Sequence, residues 1–291
     1  ADSNGRVCGL RCQRPDGAVE DLECRAMVLA CCGFAGNPEL VSKYIPEIAD
    51  AEFFGHPGNK GEAIDWGTEL GAGIKDIHAY QGHGGLAVGQ GVPILWPVIM
   101  EGGFQVNING QRFSNESKGY SEQAVEVVAQ PEHVAWTIYD ERLHTLMQEF
   151  DDYRDAMAQK AIRRGDSLDE LCEATRLPPR ALQETLERVA ALTASGEACE
   201  FGRTFADRSP LSTPYYAVKV TGALFHTQGG LDVDGHGQVL RTDGSALPNL
   251  FAGGGAARGV SGSGSSGYMA GNGLLTATTF GRLAGTRAAG C

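Results

Sequence analysis

Basic residues are scarce in this chain. Lys and Arg number 24 against 36 Asp and Glu, a formal net charge of −12 over 291 residues. Nucleic-acid binding draws on counterion release by Lys and Arg, so this balance argues against a general nucleic-acid binder. Long hydrophobic runs are also missing. No stretch approaches the roughly 20 apolar residues of a membrane-spanning helix, and the opening ADSNGRVCGL has no signal-peptide apolar core. The eight cysteines (Cys8, Cys12, Cys24, Cys31, Cys32, Cys172, Cys199 and Cys291) form no CxxC pair. A zinc or thioredoxin-type site is therefore not expected, nor any other metal site. Several of them lie in apolar runs such as AMVLACCGF, which predicts buried, reduced thiols in a cytoplasmic protein. A strand followed by GxGxxG and a helix is absent too, and Gly253-Gly254-Gly255 is not that fingerprint.

Glycine is what the chain has in excess, 41 residues in clusters. Clustered glycine points to tight turns or to backbone approaching a ligand. Residues 5–34 read as strands, with a turn at Pro15-Asp16-Gly17. Ala26 to Ala30 is a continuous apolar run, as for a strand buried on both faces, and it exits through Cys31-Cys32-Gly33-Phe34. A glycine-bearing exit at the C-terminal end of a parallel strand is where α/β sheets hold ligands. NPELVSKYIPEI gives a short helix, and GNKGEAIDWGTELGAGI a glycine loop with a helix from about Glu62 to Leu70. Such a helix start is either ordinary or an anion-favouring site.

The character then changes. Residues 75–215 mix strands, loops and about three helices and read as an inserted second domain. AVEVVAQPEHVAWTIYDERLHTLMQEF holds a strand and a helix. Ser167 with Glu170 makes a capping box. Leu182, Leu186, Val189 and Leu192 form a helical stripe ended by Gly196. From 216 strands return: YAVKVTGALF, a hairpin turning at Asp234-Gly235, and LPNLFAGGG. A Gly/Ser loop then leads into the apolar segment AGNGLLTATTFGRLAG, read as a helix.

Five ordered motifs carry a resemblance: AMVLACCGFAGNPEL, GNKGEAIDWGTELGA, NINGQRFSNES, FHTQGGLDVD and LPNLFAGGGAARGVSG…GYMAGNGLLTATTFGRLAG. Together they resemble the FAD-dependent fumarate reductase/succinate dehydrogenase flavoprotein family, which includes 3-ketosteroid dehydrogenases. The resemblance covers essentially the whole chain, which looks like the latter part of such a protein without its N-terminal glycine fingerprint. It implies an α/β (α+β) fold: a Rossmann-like FAD-binding domain, discontinuous over 1–74 and 216–291, with an α+β capping domain over 75–215. FAD is the implied cofactor. Gly33, Gly61, Gly253 and Gly271 would approach it, and the N–H groups of Asn272, Gly273, Leu274 and Leu275 would face the flavin pyrimidine ring. Where the family commonly has a glutamate for the FAD ribose or ribityl region, this chain has Gly255.

The same resemblance frames the chemistry. The dicarboxylate-reducing members use two arginines and a histidine. Here one arginine position resembles Tyr120, after Arg112-Phe113-Ser114-Asn115-Glu116, and the other resembles Tyr268. The histidine is retained as His226. Arginines clamp carboxylates through paired bonds and phenols do not, so two tyrosines suit a neutral ketone or enone. The implied roles are Tyr268 and the Gly273 N–H on a carbonyl, Tyr120 in proton transfer, and His226 in substrate positioning or proton relay. A phenol has a reference pKa of about 10, so base use needs help from its surroundings. His83 and Arg258 are further substrate candidates, while Arg112 and Glu116 read as a structural pair. The implied activity is FAD-dependent oxidoreduction of a CH–CH bond beside a carbonyl in a small molecule, with hydride moving to or from flavin N5. Alternatives are a fumarate/succinate-type or enoate reductase using His226 and Arg258, and a flavin-free fragment without activity. No motif specifies the electron donor or acceptor.

Overall fold

The computed structural model describes residues 1–291, and turn and cap chemistry sets its first elements. β1 (Gly9–Gln13) and β2 (Val19–Glu23) form an antiparallel hairpin, with Gly17 in its turn at φ 85°. β3 (Met27–Leu29) follows. It is not buried on both faces as expected: Val28 is 38% exposed, because it lines an open cleft. Asn37 caps α1 (Pro38–Tyr44), its side-chain oxygen accepting from the Glu39 and Leu40 N–H groups. After β4 (Glu52–Phe53), α2 (Glu62–Glu69) starts behind Gly61, which adopts φ 93°. β5 (Ile74–Lys75) and β6 (Tyr80–Ala87) complete this stretch.

The middle of the chain continues with α3 (Pro97–Met100), β7 (Phe104–Val106), α4 (Tyr120–Val128), β8 (Val134–Asp140) and α5 (Glu141–Met147). The segment read as one strand and one helix thus begins inside a further helix, α4. Its valine-rich stretch Val125–Val128 resembles a strand, but packing overrides propensity: Ala124, Val127 and Val128 are buried. Next come α6 (Asp151–Ala158), β9 (Ile162–Gly165), α7 (Leu168–Thr175) and α8 (Pro179–Ser195). Ser167 caps α7 through the Glu170 N–H, while the Glu170 carboxylate takes the Asp166 N–H instead of that of Ser167. Leu182, Val189 and Leu192 of α8 are buried, and Gly196 ends it at φ 70°. β10 (Tyr215–Thr227), β11 (Gly230–Leu231), β12 (Gln238–Leu240), β13 (Ala246–Ala252) and α9 (Asn272–Ala288) close the chain.

Contacts divide these elements into two units. The first comprises residues 1–49, 55–81 and 225–291, and the second residues 50–54 and 82–224. The sequence pattern places the insert at 75–215; in the structure the chain passes between units inside β6 and inside β10. A strand continuing across such a boundary leaves no Gly/Pro break for sequence patterning to detect. In the first unit the sheet order is β12-β13-β3, with β13 antiparallel to β12 and parallel to β3. Leu29, Leu231, Val239, Leu247 and Leu250 form its core. In the second unit β10 pairs antiparallel with β8 and with β9, and Phe104, Ile138, Leu171 and Phe205 pack below.

All eight cysteines are free, but the expectation of burial holds only for Cys172 and Cys199. Cys8 is exposed beside the solvent-facing β1–β2 hairpin, and Cys32 is exposed where β3 opens into the cleft. No helix is long and apolar enough to cross a membrane.

One buried side chain ties the N-terminal strands of the first unit to β13. Asn249 is fully buried. Its Oδ1 accepts from the Val7 N–H at 2.9 Å, and its Nδ2 donates to the Val7 carbonyl at 2.8 Å and the Arg25 carbonyl at 2.6 Å. Asn249→Ala leaves these groups without partners, at about 1–3 kcal/mol for each one that stays buried. A denaturant titration is expected to show a loss of at least about 2 kcal/mol; an unchanged midpoint would mean the strands are held by other contacts.

Candidate functional site

The site is built where β3 and β13 end side by side. Their parallel register sets Phe251 against Val28 and Ala252 against Leu29. Both chains then turn through small residues, Ala30–Gly33 and Gly253–Gly255. A Cβ on Gly33 would lie 2.0 Å from Thr227 Oγ1, and one on Gly255 would lie 2.8 Å from the Gly33 nitrogen. No side chain fits at either point, so glycine is what allows the two turns to meet. Cys32 itself adopts φ 65°, a left-handed conformation uncommon for a residue with a Cβ.

Beyond the turns lies a cleft of about 400 Å³. Val28, Ala30, Cys32, Gly33 and Asn59 line it, together with Gly253–Gly255 and with Gly273, Leu274, Thr276 and Ala277 of α9. His226, Thr227 and Gln228 complete it. No Lys, Arg, Asp or Glu is among the lining residues. The volume suits a small organic ligand or part of a larger cofactor.

The first turn of α9 faces this cleft. A helix start leaves backbone N–H groups without intrahelical acceptors. Asn272 N–H turns back to the Met269 carbonyl at 3.2 Å, and Leu275 N–H reaches the Gly271 carbonyl at 3.2 Å. Gly273 and Leu274 are left with N–H groups that no backbone carbonyl takes, and both residues line the cleft. The aligned peptides of this 17-residue helix add roughly half a positive charge at the same end. Buried Asn272 fastens the turn to the loop before it, donating to Ser261 Oγ.

The proposed site residues take up distinct places. Gly33, Gly253, Gly273, Leu274 and His226 line the cleft. Gly61, Gly271, Asn272 and Leu275 do not; Gly61 donates its N–H to the Gly33 carbonyl at 3.1 Å and so supports the turn from behind. His226 packs against Gly273 and meets the half-buried Tyr268 ring edge-on at 6.4 Å. Burial pushes the His226 imidazole below its usual value, against a smaller opposing effect of the Thr227 carbonyl. Arg258 lies outside the cleft and pairs with Asp76 at 2.8 Å and Asp232 at 3.2 Å.

In the second unit Tyr120 opens α4. Its ring stacks on His83 at 5.2 Å and meets Trp96 edge-on at 6.3 Å. His83 is buried, its Nδ1 accepts the Gly85 N–H at 3.1 Å, and burial lowers its pKa to about 4. Nearby, Glu116 is fully buried between Arg112 at 2.6 Å and Arg203 at 3.1 Å. Burial alone would raise the Glu116 pKa; Arg203 and Arg112 outweigh it and hold the carboxylate charged. The expected Arg112–Glu116 pair is present, and Arg203 is the partner sequence reasoning missed. Gln228, Asn59 and Cys32 were missed as cleft residues. Gln228 was detectable, standing two residues after His226 in an extended segment.

Comparison with known proteins identifies the family. Residues 2–274 match the FAD binding domain family, and the chain belongs to it. Its cofactor is FAD. The chain is 31% identical to a fumarate reductase (cytochrome) of Shewanella frigidimarina, over 99% of this chain and 49% of that protein. It is 29% identical to the 3-oxosteroid 1-dehydrogenase of Mycobacterium tuberculosis, over 89% of this chain and 52% of that protein. Among solved structures, the open conformation of a flavocytochrome c3 fumarate reductase superposes with a TM-score of 0.80 at 26% identity, covering 99% of this chain and 50% of that one. A 3-ketosteroid delta1-dehydrogenase from Sterolibacterium denitrificans gives 0.74 at 27% identity, covering 98% and 57%. The chain spans about half the length of the curated relatives it matches.

The cleft residues fit this cofactor. Glycine turns admit close backbone approach, Val28, Ala30, Leu274 and Ala277 offer apolar faces to a flat ring, and the two N–H groups of α9 favour partial negative charge. A Cβ on Gly273 would lie 2.9 Å from His226 Cε1, so Gly273→Ala must turn that ring aside. The expected result is FAD binding weakened about tenfold or more, equivalent to about 1.4 kcal/mol, read by flavin fluorescence titration. Unchanged affinity would place the flavin away from this helix start.

Proposed function

We propose that this chain is the catalytic part of an FAD-dependent oxidoreductase acting on a CH–CH bond beside the carbonyl of a small neutral molecule. The observation that supports the reading is the cleft at the start of α9, whose lining holds backbone N–H donors and no Lys, Arg, Asp or Glu. Arg258 is already held by two carboxylates, and burial favours the neutral forms of His83 and His226. Such a set suits a carbonyl oxygen better than two carboxylates, which need paired guanidiniums. The similarity to 3-oxosteroid 1-dehydrogenase and 3-ketosteroid delta1-dehydrogenase supports it.

FAD, when bound, supplies the hydride acceptor or donor. The residues of this chain do the remainder. Tyr268 and the Gly273 N–H hydrogen-bond the substrate carbonyl and stabilise the negative charge it gains. Tyr120 takes the proton from the carbon next to that carbonyl, or returns it in the reverse direction. The hydride leaves from the neighbouring carbon, so the substrate gains one C=C bond and loses two hydrogens. His83 holds the Tyr120 ring without adding charge. The second unit has a role in substrate binding.

A second reading is a dicarboxylate reductase, favoured by the 31% identity to the Shewanella frigidimarina fumarate reductase. The variant Tyr268→Phe in the full-length protein separates the two. Removing one oxyanion-stabilising donor costs about 10²–10³-fold in turnover, so oxidation of a cyclic ketone should fall by that factor while fumarate remains a poor substrate. Ketone turnover unaffected by Tyr268→Phe, or efficient fumarate reduction, would remove this reading.

A further inference from the structure

Three side chains of the second unit share a hydrogen-bonded chain that the proposed chemistry does not use. The Tyr139 hydroxyl on β8 lies 2.7 Å from the Tyr153 hydroxyl on α6, which lies 2.7 Å from His144 Nδ1 on α5. Both tyrosines are fully buried, and His144 is half-buried. Tyr153 meets the imidazole edge-on, the two ring planes standing at 65°. The Tyr216 ring lies flat against the imidazole, at 4.2 Å and 6°. Neither buried hydroxyl has a hydrogen-bond partner outside this chain.

The number of protons decides what this chain tolerates. Two gaps separate the three atoms, and each gap takes one proton. A neutral imidazole protonated on Nε2 leaves Nδ1 as an acceptor. The two hydroxyl protons then fill both gaps, Tyr139 donating to Tyr153 and Tyr153 to Nδ1. Nε2 has no protein partner, and on a half-buried ring water can serve it. A proton on Nδ1 makes three donors for two gaps. One tyrosine O–H is then left in the core without an acceptor, which is destabilising. We propose that His144 is an acid-sensitive latch of the second unit: uncharged, it closes the hydrogen-bonded chain that joins α5, α6 and β8, and on gaining a proton it opens that chain. The latch is independent of the flavin cleft and of the function proposed above.

The charged and titratable groups facing the imidazole are Glu141 on its own helix, Tyr153 of α6, Arg164 of β9 and Tyr216 of β10. Glu141 accepts the Tyr216 O–H at 2.5 Å, and Arg164 donates to the same hydroxyl at 3.3 Å. Burial lowers the His144 pKa; Glu141 opposes the shift and Arg164 adds to it. The folded value thus lies below the unfolded one of about 6.5. A group shifted this way contributes its full stability above the unfolded value and loses it as pH falls through the folded one.

Nitrogen NMR of the full-length protein with labelled histidine reads the ring directly. The His144 signals are assigned by their loss in His144→Gln. Wild type is expected to show the Nε2–H tautomer at pH 7 and a titration midpoint below the ordinary histidine value. Tyr153→Phe removes the hydroxyl that meets Nδ1, so the midpoint should rise by about one to two units. A wild-type Nδ1–H tautomer, a wild-type midpoint at or above the ordinary value, or a Tyr153→Phe midpoint no higher than wild type would overturn the proposal. Should Tyr153→Phe fail to fold, denaturant titration of wild type and His144→Gln decides it. The introduced amide oxygen accepts from Tyr153 and does not titrate. The stability of wild type relative to this variant should therefore fall as pH is lowered from 7 to about 5. A difference that stays constant, or that moves in favour of wild type, contradicts the latch.

Discussion

The meeting of two backbone turns at the ends of β3 and β13 is the constraint on which the first unit depends. Gly33 and Gly255 approach so closely that a methyl group on either would overlap its neighbour. Parallel pairing of β3 with β13 brings the turns to the same end of the sheet, and α9 packs along that end. The cleft is the space left between them. Its character follows from this: backbone donors instead of charged side chains, and flat apolar faces from Val28, Ala30 and Ala277. A ligand held this way meets fixed dipoles that need no reorganisation when charge develops.

The second unit meets a different constraint. It buries Arg112, Glu116 and Arg203 together, and such a group tolerates neither water nor the loss of one partner. The carboxylate also accepts the Gln105 N–H at 3.0 Å, and Arg203 donates to the Ile99 and Gly103 carbonyls at 2.7 and 2.9 Å. These bonds fasten the segment just before α4, whose first residue is Tyr120. His83 and Trp96, themselves in edge contact at 5.8 Å, then pack against the Tyr120 ring. The phenol is placed by a chain of buried contacts, each within one unit.

Much of this was legible in residue order. The stripe of α8 and its terminating Gly196, the cap at Ser167, and the hairpin turn around Asp234 all follow from local rules, because the groups involved are close in sequence. The glycine exit of β3 was legible for the same reason. Long-range features were not. Val28 resembles a core residue until its open face is known, and the valines of α4 resemble a strand until packing decides. Arg258 passes for a free cation until Asp76 and Asp232, far off in sequence, are found beside it. Of the four N–H groups expected to face the flavin, two turn back to carbonyls of the preceding loop, which only the geometry of the turn reveals.

The most direct measurement is the reoxidation half-reaction. The full-length flavoprotein, reduced anaerobically, is mixed with a cyclic enone or with fumarate while the visible flavin bands are followed. The proposed ketone or enone chemistry predicts rapid return of oxidised flavin with the enone and little with fumarate. Rapid reoxidation by fumarate and none by the enone would contradict the account.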